Sequence, residues 1–226
     1  MVTLLELKTQ SRQRADQENS DFIEDAELTG YINASLAELH DLLIAAYNED
    51  YVMEEYIFTA DLSQSYALPS DFYKLRGVDT RRGTNGAWAT VKRFNFNRRN
   101  EQQNAYAWNM LGLPYMEYRL VGSNIRFNGA PDPGLQFRIF YYPAAPKLVN
   151  DSDEYDDVNQ YGEYVVLDAA IKMMQKEESD VSVLMAQKEA MRQRIMAMAA
   201  GRDANEPASV TDIYAEDTDI VIVGNG

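Results

Sequence analysis

At 226 residues, 46% of them hydrophobic, the chain holds enough apolar material for one large domain or two small ones, which excludes disorder throughout. With no Cys and a single His it has no thiolate nucleophile, no Cys-rich zinc site and no disulfide framework, and little of the usual metal or acid/base repertoire. The formal net charge of -15 conceals a segregation by position: residues 1–61 carry three bases against fourteen acids, and residues 62–147 carry twelve bases against five acids. Residues 148–171 then hold seven acids and no base, and six more acids without a base follow Arg202. Blocks of this kind suit a protein whose parts face different neighbours.

The first segment, 2–17, opens with Leu4, Leu5 and Leu7 and turns polar, which predicts a short helix packed on the next. Over 25–48, Leu28, Ile32, Leu36, Leu39 and Leu43 recur at three- and four-residue steps, which predicts a longer amphipathic helix whose acidic start suits the helix dipole. From Tyr56 the period shortens to two and Pro and Gly punctuate the chain. Strands are expected at 55–60, 65–68, 75–79, 87–91, 117–121, 125–127 and 135–142, with a tight turn at Gly122, Ser123 and Asn124. Residues 95–108 lack periodicity and read as a loop with room for a short helix. Residues 150–159, acidic and following Pro143 and Pro146, read as an exposed connector.

A second long helical pattern occupies 161–200, with Tyr164, Leu167, Ile171, Met174, Leu184, Met191 and Ile195 near a heptad seam. It is interrupted at 177–180, where a bend or split is expected, and Gly201 is placed to cap its end. Residues 203–226 have too little apolar surface to fold alone. Yet Val210, Ile213, Tyr214, Ile220, Val221, Ile222 and Val223 are β-formers, dense enough to mark a candidate protein-interaction arm.

Chemistry is harder to find. His40 lies among leucines without a second ligand and is expected at a helix boundary or on the surface. No nucleophile elbow, phosphate loop or dinucleotide fingerprint is present, no cofactor is called for, and no particular carboxylate pair stands out among 36 acids. The one coloured feature is a basic patch of Arg81, Arg82, Lys92, Arg93, Arg98 and Arg99, interleaved with Trp88, Phe94, Phe96 and Trp108. Such a patch suits an acidic protein surface, a nucleic-acid backbone, or simply solvated strand edges that resist aggregation. The stripe Met173, Met174, Met185, Met191, Met196 and Met198 suits helix packing or a pliable partner surface. The start of the chain lacks the pattern of a signal peptide and no apolar run approaches the ~20 residues of a membrane span, so a soluble chain without membrane contact is expected.

The run from Asp25-Ala26-Glu27-Leu28 through Tyr31-Ile32-Asn33-Ala34-Ser35-Leu36 to Leu39-His40-Asp41-Leu42-Leu43 resembles the head-to-tail adaptor, or connector, proteins of tailed bacteriophages. So do Tyr66-Ala67-Leu68-Pro69-Ser70-Asp71-Phe72-Tyr73-Lys74-Leu75 and the stretch from Glu163-Tyr164-Val165-Val166-Leu167 to Val181. The resemblance implies a homo-oligomeric ring, usually of twelve copies, docked beneath the portal protein and followed by a tail nozzle or other tail proteins. It also implies that double-stranded DNA passes through the ring without specific binding, and that the C-terminal segment reaches the portal or a neighbouring subunit. Synthesis in the bacterial host cytoplasm and a final place in the virion neck go with it. Some proteins near this position are peptidoglycan hydrolases, but no residue pair here carries that chemistry. The expected fold is α+β: a discontinuous helical bundle (1–54 and 155–201), an inserted antiparallel β domain (55–154) and an extended C-terminal arm (202–226).

Overall fold

The computed structural model describes residues 1–18, 22–47, 52–98 and 116–199. In chain order these form β1 (Val2–Thr3), α1 (Leu4–Arg14) and α2 (Asp25–Ala46), then the strands β2 (Glu54–Thr59), β3 (Ser65–Ala67), β4 (Phe72–Arg82), β5 (Ala89–Thr90) and β6 (Lys92–Arg93). After them come β7 (Glu117–Val121), β8 (Asn124–Phe127), β9 (Leu135–Pro143), β10 (Glu154–Tyr155), α3 (Gly162–Lys176) and α4 (Ser182–Ala199). The class is α+β, with four α-helices among the described residues.

Thr3 starts α1 with a capping box, its hydroxyl accepting from the Glu6 N–H at 3.2 Å while the Thr3 N–H donates to the Glu6 carboxylate at 2.9 Å. Two more of the N–H groups that a helix start leaves without intrahelical partners find acceptors far along the chain: Leu4 donates to the Asp153 carbonyl at 2.9 Å and Leu5 to that of Asp151 at 3.1 Å. The Lys8 ammonium meets the Asp151 carboxylate at 2.7 Å, and β1 pairs antiparallel with β10. The stretch 150–159 is exposed over most of its length, as expected of a connector, but it is also tied to the first helix. Its carbonyls finish the first turn of α1, and Leu148 just before it and Tyr155 within it are buried with the helices.

Helix α3 is buried on nearly every side, as a central helix must be, with Val165, Val166, Ala169, Ala170 and Met173 all at 1% exposure or less. Around it lie α1, the Leu28-Ile32-Leu36-Leu39-Leu43 stripe of α2 and the narrower Leu184-Met191-Ile195 stripe of α4, all in one buried cluster. The interruption expected at 177–180 is a break between α3 and α4. The Ser179 and Glu178 N–H groups turn back to the Met174 and Gln175 carbonyls, a Schellman ending with Glu178 at φ +61°. Asp180 then accepts from the Ser182 N–H at 2.9 Å and opens α4. No helix among the described residues is long and apolar enough to cross a membrane.

The strands between form two four-stranded sheets, ordered β2-β9-β4-β5 and β3-β8-β7-β6. In β9, Leu135, Phe137, Ile139 and Tyr141 point inward while Gln136, Arg138 and Phe140 alternate with them. The sheets meet through rings: Phe137 lies 5.3 Å from Phe58 and 4.4 Å from Phe127, and Tyr66 lies 4.7 Å from Phe58. The turn between β7 and β8 places Gly122 at φ +59°, the left-handed region that glycine enters without steric cost. The β region is mixed rather than wholly antiparallel, because β6 runs parallel to β7. Chain leaving β6 re-enters at β7 only after more than twenty residues, a crossover rather than a hairpin.

His40 is neither at a helix boundary nor on the surface. It is 6% exposed within α2, and its Nε2 donates to the Pro143 carbonyl at 2.8 Å where β9 ends. Asn33, two turns earlier, exchanges two 2.8 Å hydrogen bonds with the backbone of Leu148. One face of α2 thus holds the strand exit in place as the chain returns to the helices.

Candidate interaction surface

The basic patch read from the sequence is divided between the two sheets. Arg81 and Arg82 end β4 in one; Lys92 and Arg93 form β6 in the other, followed by Arg98 in a 3-10 turn (Phe96–Arg98). Arg99, Trp108 and the seven candidate arm residues from Val210 to Val223 lie outside the described residues, as does Gly201.

On the outer face of the first sheet the arginines are occupied. Arg81 donates to the Gln136 side chain at 2.9 Å and lies 4.3 Å from the centre of the half-buried Trp88 ring, and Arg138 of β9 lies 4.4 Å from the same ring. Arg138 also pairs with Asp79 at 2.9 Å and with Glu55 at 3.7 Å, and Arg82 pairs with Asp132 at 3.0 Å. Cation–π stacking and ion pairs spend this charge within the fold.

The second sheet differs. A cleft of about 470 Å³ lies between the start of β4 and the β6–β7 edge, lined by Tyr73, Lys74, Arg93, Phe94, Arg119 and Leu120 among others. No carboxylate is among its described lining, and no ion pair among the described residues engages Lys74, Arg93 or Arg119. Arg119 lies 5.6 Å from the Phe94 ring and stands directly opposite Arg126 of β8, a cross-strand like-charge pair that costs stability unless an anion sits by it. Tyr73 and Leu120 are 51% and 44% exposed. Lys74 and Arg119 were not in the patch read from the sequence, because no local pattern brings residues this far apart onto one cleft.

The methionine stripe also divides. Met173 and Met191 are buried in the helical cluster, whereas Met185, Met196 and Met198 stand exposed on the outer side of α4.

Titratable groups elsewhere are tied into the fold. Asp168 of α3 accepts from Lys172 at 2.5 Å, Lys188 at 2.6 Å and Ser35 at 2.6 Å, and Glu38 of α2 accepts from Lys188 at 2.9 Å. Burial would raise the Asp168 carboxyl, but hydrogen bonds from the two lysines and Ser35 outweigh it and hold the group below the usual carboxylate range. Burial would likewise lower the Lys188 ammonium, yet its bonds to Asp168 and Glu38 hold it well above the ordinary lysine value. Burial, together with Glu54 and Asp71 accepting from its hydroxyl at 3.1 and 3.2 Å, pushes the Tyr141 phenol well up. These groups join elements rather than face a substrate. Among the described residues no cluster of His, Asp and Glu is suited to a metal.

A family model described as SU10 adaptor protein matches residues 2–211, a span that takes in both buried clusters, the basic cleft and the beginning of the arm. The chain belongs to the SU10 adaptor protein family. No curated protein matches it. SU10 adaptors are phage head-to-tail adaptors, so this is a structural protein of a bacteriophage that works with portal and tail proteins in the virion neck. Residues 80–160, which contributed little to the likeness visible in the sequence, fall inside the matched span. Adaptor membership also implies a structural rather than an enzymatic role.

Proposed function

We propose that the protein forms a ring beneath the portal, of twelve copies in the usual arrangement of such adaptors, which extends the DNA channel and joins it to a tail nozzle or other tail proteins. The observation that carries this reading is the opposite charge of its two regions: residues 1–61 are net -11 and residues 62–147 net +7. A subunit polarised in this way meets different neighbours at its two ends and offers a passing duplex acidic walls that do not hold its phosphates during ejection. In this reading the helical unit (1–54 and 155–201, with the segment from Leu148 packed on it) and the β unit (55–154) face different partners, and 202–226 is the arm that secures the assembly. Free subunits stay monomeric and the arm orders on the assembled ring. Truncation after Gly201 is expected to leave the circular dichroism of the folded chain unchanged and to abolish co-sedimentation with purified portal rings. Undiminished co-sedimentation would reject the arm.

A second reading, nucleic-acid binding through the basic β region, is favoured by the cations of the cleft that have no carboxylate partner among the described residues. It requires salt-sensitive retention on DNA that disappears when Lys74, Arg93 and Arg119 are neutralised. Passage through a DNA column at low salt without retardation removes it.

A further inference from the structure

We infer that the cleft between β4 and the β6–β7 edge is the socket for the acidic C-terminal segment of a second copy of this chain, entered by the stretch Glu216 to Val223. This rests on the ring reading above and names the surface that closes the ring.

Three observations converge. The cleft presents Lys74, Arg93 and Arg119 beside exposed Tyr73 and Leu120; no carboxylate is in its described lining, although Asp41 of α2 accepts from the Tyr73 hydroxyl, and Lys74 lies 5.9 Å from the Tyr142 ring. Residues 203–226 carry six acids and no base, and three of these acids, Glu216, Asp217 and Asp219, directly precede the β-forming run Ile220-Val221-Ile222-Val223. Third, β7 pairs with β6 only at Glu117 and Tyr118, so among the described residues Arg119, Leu120 and Val121 have a strand neighbour on the β8 side alone. An added strand would sit ~4.8 Å from β7 and take up these backbone groups. Ile220 and Ile222 would project to one face of it and the alternate valines to the other, while the carboxylates just before them reach Arg93 and Arg119.

Residues 99–115, which lead into β7, are the obvious competitor. They carry one base (Arg99) and one acid (Glu101) and so offer the three cations no compensating charge. The second copy is preferred to the chain's own arm because a closed ring of identical subunits is built from heterologous contacts, in which one patch meets a different patch on the next copy. Arm and cleft are such a pair.

The absence of cysteine makes a direct test possible. Full-length Leu120→Cys and Ile222→Cys chains are mixed on portal rings and oxidised, beside a control pair in which the exposed Met185→Cys replaces Leu120→Cys. The expected result is a mixed disulfide dimer forming at least about tenfold faster than the control, as raised effective concentration requires. High salt should bring the rate to the control level. So should Arg93→Glu with Arg119→Glu in the socket and, without touching the folded part, Asp217→Asn with Asp219→Asn in the arm. A dimer no faster than control overturns the socket, as does a Leu120→Cys, Ile222→Cys double variant that closes only within one chain. Portal co-sedimentation of the unaltered chain, measured alongside, separates the two ideas: intact binding with a control-level rate removes the socket alone, whereas no binding removes the ring reading.

Discussion

Mainly aliphatic side chains from four separated stretches of chain fill the helical cluster, whereas the β region draws its interior from one stretch between Phe58 and Tyr141, joining aliphatic residues to the rings of Phe127, Phe137 and Tyr141 with Phe58, Tyr66, Phe72 and Tyr118 packed against them. The two also treat charge differently. The helices bury a carboxylate, Asp168, and answer it with lysines from two helices; the β region buries Glu117 at the start of β7 but sets its arginines on sheet faces and edges, where Arg138 pairs with Asp79. A core assembled from distant segments needs specific contacts that fix which segment lies where, and a buried ion pair with one geometry can serve as such a key. A core closed within one segment gets its register from strand alternation and turns.

The sharpest way to break this comparison is to damage one core and watch the other. Both tryptophans, Trp88 and Trp108, belong to the β segment, so their fluorescence reports that region while far-ultraviolet circular dichroism reports mainly the helices. Phe137→Ala, which removes the ring between Phe58 and Phe127, is expected to cost about 3–5 kcal/mol. In urea the fluorescence transition should move further than the helical one; equal displacement of both would mean that the two cores unfold as one unit.

Next in size is the key itself. Asp168→Asn keeps the shape but leaves Lys172 and Lys188 with only the half-exposed Glu38 as a counter-charge, at a cost of about 3 kcal/mol seen first in the helical signal. The folded-state carboxyl lies below its unfolded value, so its stabilisation is complete above the ordinary carboxylate pKa of about 4 and is lost as pH falls through the folded value. The urea midpoints of the parent and Asp168→Asn chains should therefore converge in acid and separate at neutral pH. A gap of constant size across that range would show that the carboxylate charge is not what holds the helices.

The smallest effect tests the joint between the regions. His40→Ala leaves the Pro143 carbonyl without its donor and should cost about 1–2 kcal/mol. Its more telling consequence is a wider separation of the fluorescence and circular dichroism transitions, and identical transitions would place the coupling elsewhere, at Asn33 and Leu148.

Elements whose period is carried by neighbouring residues were legible. The α2 stripe, the alternation of β9, the turn at Gly122 and the split before Ser182 all follow from spacing within a few residues. Elements defined by a distant partner were not. Strands β1 and β10 have two residues each, and only their meeting gives them form. Helices α1 and α3 end with Asp16 and Glu178 at positive φ, where glycine would have been the visible signal. The burial of His40 depends on where β9 happens to stop.

The sequence by itself determined the α+β class, the order of helical and β segments and the alternating charge blocks, because propensity, period and charge are local properties of the chain. Only the tertiary structure decided which charges remain to be answered. Arg81, Arg82 and Arg138 have their charge answered by Gln136, Trp88, Asp79 and Asp132, although the buried Arg138 Nε has no acceptor, while Lys74, Arg93 and Arg119 gather on a cleft without a carboxylate among its described lining. Electrostatic pairing falls off within a few ångströms, so two arginines alike in sequence part company according to what folding brings beside them.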